Sequence, residues 1–287
     1  MIRLPVPVNS MHWARQVPCQ GRSLPHERIW SKHIIVLWQI CITIALLTGW
    51  ELGTRIGWIN AFFWSSPFTI LKTGIVFFRQ GSAVSDIWFT FRSTIAGFFI
   101  GTGLGAAIGL TFWWSRNYAA IAQPLIIAFH ATPKLALGPL VILVFGMGFA
   151  SKVAMAVALT IVISVLTTYS GIQAVDPDLQ QLMYSLGATR WQVFTKVVIP
   201  SVLPWIISSL RVNIGLSLSG AIVGEFLGSQ AGLGRLILYA GQTYDIALVW
   251  VGVLVLAALS VVMYAFVQHL EQLLLKGVMH GTQQIKE

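Results

Sequence analysis

The stretch that decides the fold is 176-DPDLQQLMYSLGATRWQVFTKVVIP-200, a moderately polar segment between two long apolar runs. Asp176 is a suitable N-cap, Pro177 suits the first helical position, and Asp178 lies near the positive helix end. Apolar residues then follow at the i, i+3, i+4, i+7 spacing of one helix face: Leu179, Leu182, Met183 and Leu186. The pattern predicts a short amphipathic helix.

A second helix is predicted directly after the first. Gly187 is typical of a left-handed helix terminator, and Thr189 with Gln192 matches a capping box. One face of this helix is apolar, with Trp191, Phe194 and Val198. Pro200 is expected to mark its end. The two apolar faces need a partner, which is either the protein's own helices or another protein.

Composition places this segment in a membrane protein. Of 287 residues, 56% are apolar and 9% are charged, whereas a soluble domain has about 25% charged residues. The net charge of +9 is explained by cationic loops that orient a membrane protein, and it does not require nucleic acid. The two cysteines and six histidines show no metal-ligand spacing, and no catalytic constellation is found. We therefore predict an all-α integral membrane protein with no metal site.

Six transmembrane helices are predicted from the gaps between charges, because a crossing needs roughly 17–25 apolar residues. The predicted spans are 33–50, 93–115, 132–150, 153–175, 203–226 and 246–270. Residues 117–131 are predicted as an interfacial lead-in to the third span, which is broken near its prolines. With the N-terminus inside, ten basic residues face the cytoplasm and five face outward, so both termini are predicted to be cytoplasmic.

The chain is accordingly divided into five parts. Residues 1–32 are predicted to form a mobile cytoplasmic basic tail, 33–51 the first transmembrane helix, and 52–86 an outer segment with a short surface helix. Residues 87–275 form the core, which includes the segment 176–200, and 276–287 form a cytoplasmic tail.

A glycine ridge marks the second span. Small residues recur every fourth position over three turns, at Gly97, Gly101, Gly105 and Gly109. Small residues at this spacing let two membrane helices approach closely. The ridge predicts helix packing, either within the chain or between subunits.

Charges inside the predicted spans are the candidates for a translocation pathway, because charges in lipid are costly. They are Lys134, Arg92, Arg211 and Glu225. Lys134 lies among prolines that free backbone groups, and such backbone usually lines a cavity. The alternative for each cation is a structural side chain that reaches water or a helix end. After Glu225, Gly228, Gly232 and Gly234 predict a sharp turn, which is either an outer gate or a simple connection.

The segment 176–200 also resembles a known signature. It is similar to the cytoplasmic motif of binding-protein-dependent ABC importer permeases. The matching pattern is Gly187, then nine residues, Val197, then one residue, Ile199 and Pro200. Further stretches from about residue 60 to 277 resemble the nitrate/sulfonate/taurine branch: 64-WSSPF-68, 92-RSTIAGF-98, 132-TPKLALGPLVILVFGMG-148, 174-AVDP-177, 187-GATRWQ-192, 200-PSVLPWIISSLR-211 and 225-EFLGSQAGLG-234.

The resemblance implies a type I importer permease fold in a bacterial inner membrane, with 176–200 as a coupling helix pair that docks on an ATPase. It assigns coupling to Asp176, Leu179, Gln181, Leu182, Met183, Leu186, Gly187, Ala188, Thr189, Arg190, Trp191, Phe194 and Pro200. The family motif has an acidic residue where this chain has Gln181, so the usual charge contact is absent.

The implied function is import of a small solute, such as nitrate, a sulfonate or taurine. The implied partners are two ATPases, a second permease copy, an external solute-binding protein and the lipid bilayer. The chain contains no G-x-x-x-x-G-K-[ST] motif, so ATP and Mg²⁺ are expected on the ATPase and no cofactor on this chain. The rival hypotheses are a secondary transporter or channel without an ATPase, and a membrane scaffold that transports nothing.

Overall fold

The computed structural model describes residues 31–283, and the predicted tail at residues 1–32 lies almost entirely outside this range. The chain divides into two units, residues 1–49 and 50–287. In the first unit, the described residues 32–49 belong to α1 (Lys32–Ile56), and the large apolar side chains between Ile34 and Leu47 are exposed. No strand occurs among residues 31–283. The predicted all-α fold is confirmed.

Eleven further α-helices follow α1 in the described part of the second unit. They are α2 (Ala61–Trp64), α3 (Pro67–Arg79), α4 (Ser82–Thr111), α5 (Arg116–Ala131), α6 (Gly138–Phe145), α7 (Phe149–Gln173), α8 (Pro177–Ser185), α9 (Arg190–Val193), α10 (Ile199–Leu227), α11 (Leu233–Gln242) and α12 (Ile246–Gln283). Short 3-10 helices cover Phe112–Trp114 and Lys134–Leu137, and a π-helix covers Phe194–Val198.

Three long helices, α4, α7 and α10, pack against one another and form the centre of the second unit. α12 packs on α10 and α11, while α6 contacts α7 and α10. The glycine ridge of α4 faces α7, where an added Cβ on Gly109 would lie 2.6 Å from Cβ of Thr168. The close approach brings many atoms into dispersion contact, which replaces the hydrophobic driving force that lipid does not supply.

Among residues 31–283, six helical segments are long and apolar enough to cross a membrane, or seven if one bent pair counts as a span. The six are 33–56, 61–79, 82–114, 149–173, 190–227 and 246–276. Segment 61–79 is interrupted at Ser65, whose φ is +58°. Its longer part, α3, has 13 residues and is about 20 Å long, which is less than the hydrocarbon thickness of about 30 Å.

The bounds 132–150 predicted for the third span are wrong, whereas the predicted break near the prolines is confirmed. Residues 116–145 instead form a helix pair with a bend of 80° between α5 and the segment that begins at Lys134. The residue before a proline is pushed out of the helical region, and Thr132 before Pro133 is extended at ψ 132°. α6 then ends at Phe145, because the next residue, Gly146, has a φ of +75° that stops the helix before residue 150.

Several predicted helix ends are also wrong, because charged residues do not mark the ends of these helices. α1 passes residue 51 and continues to Ile56, since Glu51 pairs with Arg55 one turn later at 2.8 Å. α4 begins at Ser82 and includes Arg92. α12 continues through Lys276, so the predicted tail at 276–287 begins inside a helix.

Candidate coupling segment and translocation pathway

The coupling segment, residues 176–200, begins with a helix that is capped at both ends. The Asp176 side chain accepts the N–H of Asp178, and Pro177 occupies the first helical position of α8. At the other end, the N–H of Gly187 donates to Tyr184 O and the N–H of Ala188 to Met183 O, both at 3.0 Å. This pair of bonds is a Schellman motif, which needs a left-handed residue, and Gly187 has φ +80°.

The next helix starts only two residues after this turn. The N–H of Gln192 donates to Thr189 Oγ1 at 3.3 Å, and Gln192 Oε1 accepts the N–H of Thr189 at 2.8 Å. The reciprocal bonds form a capping box. The turn between α8 and α9 is therefore fixed by hydrogen bonds on both sides.

The expected helix end at Pro200 is wrong. The helical path continues from Arg190 through the π-helix into α10 and ends at Leu227. Proline has no N–H and its ring clashes with the carbonyl four residues earlier in an α-helix. In the π register, the N–H of Ile199 donates to Phe194 O, five residues earlier, so the local widening accommodates Pro200. The coupling segment is thus continuous with a helix long and apolar enough to span the membrane.

The apolar side chains of the coupling segment divide between two directions. Phe194 and Val198 are buried in a core cluster of the chain itself, and Met183 and Ala188 pack against it. In contrast, Leu179, Leu182 and Leu186 are exposed by 43%, 55% and 74%. One apolar face is therefore covered by the chain itself, and a second face is uncovered.

Trp191, Arg190 and Gln181 lie outside this core. Trp191 is 60% exposed and stacks on Trp114 at 6.0 Å between ring centroids. Arg190 donates to the backbone oxygen of Trp114 and lies over its ring, 5.3 Å from the centroid. Gln181 is exposed, next to Leu182 in the sequence, so it can contact a docked partner.

The four charged candidates for the pathway lie on three elements: Arg92 on α4, Lys134 on the 3-10 helix at residues 134–137, and both Arg211 and Glu225 on α10. They are not hydrogen-bonded to one another among residues 31–283. Lys134 is 8% exposed, and its Nζ donates to His130 O at 3.2 Å. Arg92 is exposed and lies between the rings of Phe89 and Phe149, about 5 Å from each centroid. Their side chains are thus engaged by backbone or aromatic groups.

Arg211 and Glu225 have polar partners that the sequence analysis did not find. Arg211 forms an ion pair with Glu271 of α12. Opposite charges near the predicted cytoplasmic ends of the last two spans were the available signal for this pair. Glu225 is fully buried and accepts hydrogen bonds from Thr90 Oγ1 at 2.8 Å and from the N–H of Gly234 at 2.7 Å.

Glu225 belongs to a buried polar cluster. The other members are Asp86, Thr90, Lys152 and the partly buried Arg235. Three successive N–H groups at the start of α11 donate to the cluster: Gly232 to Asp86 at 2.8 Å, Leu233 to Thr90 at 2.9 Å, and Gly234 to Glu225. Lys152 Nζ donates to the backbone oxygens of Met147 and Gly228. No local sequence pattern reveals this cluster, because its members come from four helices that are far apart in the sequence.

The predicted glycine turn is therefore closely packed. Residues 228–232 connect α10 to α11, and Gly234 lies inside α11 rather than in the turn. Gly232 has φ +114°, and an added Cβ there would meet the carboxylate of Glu225. The geometry supports a structural role for Glu225 in holding this turn.

Comparison with known proteins identifies the family. The profile of the binding-protein-dependent transport system inner membrane component matches residues 97–276. The chain belongs to this family. The permease is 31% identical over 238 residues to the formylaminopyrimidine transport permease protein ThiX of Halalkalibacterium halodurans, covering 81% of this chain and 92% of that protein.

Two other relatives carry different substrate names. The riboflavin transport system permease protein RibX of Chloroflexus aurantiacus is 30% identical over 235 residues, covering 80% of this permease and 86% of the relative. The taurine transport system permease protein TauC of Escherichia coli is 25% identical over 250 residues, covering 83% and 91%. The resemblance to the branch that includes taurine permeases is confirmed.

The fold is also confirmed by a solved structure. An inward-facing structure of the MetNI methionine ABC transporter matches with a TM-score of 0.60 at 16% identity, over 70% of this permease and 97% of that chain. The protein is therefore an ABC importer permease subunit of the type I fold and a multi-pass component of the inner membrane.

Proposed function

We propose that the coupling segment docks on a separate ATPase subunit and transmits its motion to the bundle during import of a small solute. The observation that carries this proposal is the uncovered leucine face of α8, formed by Leu179, Leu182 and Leu186, on a helix with defined caps. Full burial of one leucine contributes about 1.5–3 kcal/mol, so covering the exposed parts of all three contributes roughly 3–5 kcal/mol. A rigid apolar surface of this size suits a protein partner.

The position of the charges and helices supports a cytoplasmic location for this face. α3 is too short to cross the membrane, so α2 and α3 are placed on the outer side. The rest of the chain then crosses the membrane six times, through α1, α4, the bent pair, α7, α10 and α12. An N-terminus inside then puts the coupling segment and the C-terminus inside as well, in agreement with the distribution of Lys and Arg.

The energy source in this proposal is ATP with Mg²⁺ on the ATPase, because this chain has no phosphate-binding loop of the Walker type. The assembly contains two permeases, two ATPases and an external solute-binding protein. Closure of the ATPase pair moves the two coupling segments together, and the continuous helix from Arg190 to Leu227 carries this motion across the membrane.

The cargo class we propose is a small anion, such as nitrate, a sulfonate or taurine. Lys134 supports this class because it lies at the 80° bend, where prolines free backbone groups that lipid does not satisfy. Its ammonium group is 5.8 Å from the ring centroid of Phe129. The taurine permease among the relatives supports the same class, while the names of ThiX and RibX indicate that the family carries varied compounds.

The decisive experiment is reconstitution of the permease in liposomes with and without its cognate ATPase, with the solute-binding protein present. ATP-dependent uptake is expected only when the ATPase is added. Uptake without any ATPase would favour a secondary transporter and would contradict the proposal.

A paired substitution tests the docking face itself. Leu186→Ala removes three carbons from a side chain that is 74% exposed, so ATPase binding should weaken by roughly 1–2 kcal/mol, or about 5- to 30-fold. Leu143→Ala on α6, where the leucine is 85% exposed, is the matched control and should leave ATPase binding unchanged. Equal effects of the two substitutions would show that the ATPase does not dock on the leucine face.

A further inference from the structure

A cavity of about 700 Å³ lies beside the coupling segment, on the other side of α8 from the leucine face. Its walls come from the 3-10 helix after α4, the start of α5, the end of α7 and the coupling segment. α8 contributes Pro177, Gln180 and Tyr184, which share one helix face, while Leu182 and Leu186 lie roughly opposite. An occupant of the cavity and a partner on the leucine face can therefore bind at the same time.

Two guanidinium groups line this cavity, those of Arg116 and Arg190. Neither arginine has a carboxylate within 4.0 Å among residues 31–283. The ion pairs in this part of the chain involve Arg55, Arg211 and Arg235 instead. Arg190 is held by the backbone oxygen of Trp114, which leaves further N–H donors, and Arg116 is exposed. Asp176 and Asp178, the acids next to Pro177 in the sequence, are not part of the lining. The cavity thus offers positive charge without a balancing acid.

The remaining lining is aromatic and amide-rich. Trp113 and Trp114 belong to the wall, and Trp113 Nε1 donates to Gln180 Oε1 at 3.2 Å. All the contributing helices begin or end here, so the topology set out under the proposed function, on which this inference rests, puts the cavity near the cytoplasmic membrane interface. Tryptophan and tyrosine are enriched at this depth, and basic pockets between membrane helices on the cytoplasmic side bind acidic headgroups.

We infer that this cavity binds the phosphate headgroup of an acidic phospholipid of the cytoplasmic leaflet. The planar guanidinium of Arg116 or Arg190 can bind two phosphate oxygens at once, and the start of α5 at Arg116 adds favourable N–H dipoles. A bound headgroup contacts α8, α5 and α7 together and so restrains the coupling segment. Because the site does not involve ATP or cargo, it can be tested separately from the proposed function.

The test is lipid binding to the full-length permease in detergent, measured by native mass spectrometry. Phosphatidylglycerol and phosphatidylcholine with the same acyl chains are compared. Each arginine near a phosphate contributes about a fivefold preference for the acidic lipid. Arg116→Gln is expected to weaken phosphatidylglycerol binding about fivefold and phosphatidylcholine binding by less, because choline balances the charge of the latter's phosphate, whereas Arg116→Lys should retain most of the preference.

Lys196→Gln is the matched control, because Lys196 is exposed on the same side but does not line the cavity. Phosphatidylglycerol should also slow hydrogen exchange across residues 177–187, which a contact elsewhere on the basic surface would not do. Equal binding of the two lipids, or an effect of Lys196→Gln as large as that of Arg116→Gln, would overturn the inference. Competition by glycerol 3-phosphate at equal affinity would show a site for soluble phosphate and would overturn the lipid assignment.

Discussion

Gly187 provides the sharpest test of whether the shape of the coupling segment matters. Its φ of +80° lies in the left-handed region, and an added Cβ would meet nothing within 4 Å. A substitution here is therefore opposed by backbone conformation and not by steric overlap with a neighbour. The left-handed conformation costs an L-residue about 1–2 kcal/mol, and a β-branched residue is a clear outlier there, whereas asparagine is tolerated.

Two substitutions at this position separate conformation from side-chain bulk. Gly187→Val is expected to disfavour the Schellman motif by at least about 1–2 kcal/mol, which corresponds to a 5- to 30-fold loss of ATPase affinity if docking requires the native turn. Gly187→Asn is expected to lose less than about threefold, because asparagine adopts the left-handed region more readily.

The assay is a titration of the nanodisc-embedded permease with its ATPase, followed by ATP-dependent uptake at saturating ATPase. Far-ultraviolet circular dichroism checks that both variants keep their helices. An equal loss for valine and asparagine would assign the effect to added bulk. Normal binding and uptake by Gly187→Val would refute the argument that a fixed turn is required for coupling.

Three further predictions concern the membrane-spanning part. Gly101→Leu should destabilise the permease by about 1–3 kcal/mol in a detergent melting assay, because Gly101 packs on α7. Gly103→Leu is the control and should have little effect, because the space around Gly103 is open. Similar losses of stability for the two variants would contradict the packing account. Exchanging the partners in Arg211→Glu/Glu271→Arg should restore part of the thermal stability that each single substitution removes, and a strictly additive loss would argue against the ion pair. Lys134→Ala should reduce uptake of an anionic cargo while Lys134→Arg retains it, and normal uptake by the alanine variant would remove Lys134 from the pathway.

The coupling segment shows how much of a local structure the sequence can predict. The cap at Asp176, the left-handed Gly187 and the capping box at Thr189 were all predicted, and each has the expected geometry. These signals work because their hydrogen bonds join residues within five positions of each other. Pro200 was misinterpreted because a π-helical widening depends on how the whole helix continues.

The bent pair and the buried polar cluster show where sequence reasoning failed. Pro133 signalled a break, but its 80° angle depends on how α5 and α6 pack on other helices. The sequence pattern puts Asp86 and Lys152 outside the predicted spans, because a charge in isolation favours water. Their burial is possible only because the start of α11 and the oxygen of Gly228 supply partners from distant parts of the chain.

The sequence alone determined the membrane class, the approximate number of crossings, the glycine ridge and the capped turn of the coupling segment. Those features depend on composition and on interactions within one or two helical turns. The tertiary structure decided which leucines remain uncovered, which charges have partners and where the two arginines meet a cavity. Such properties depend on packing between helices that are far apart in the sequence, and no local pattern specifies that packing.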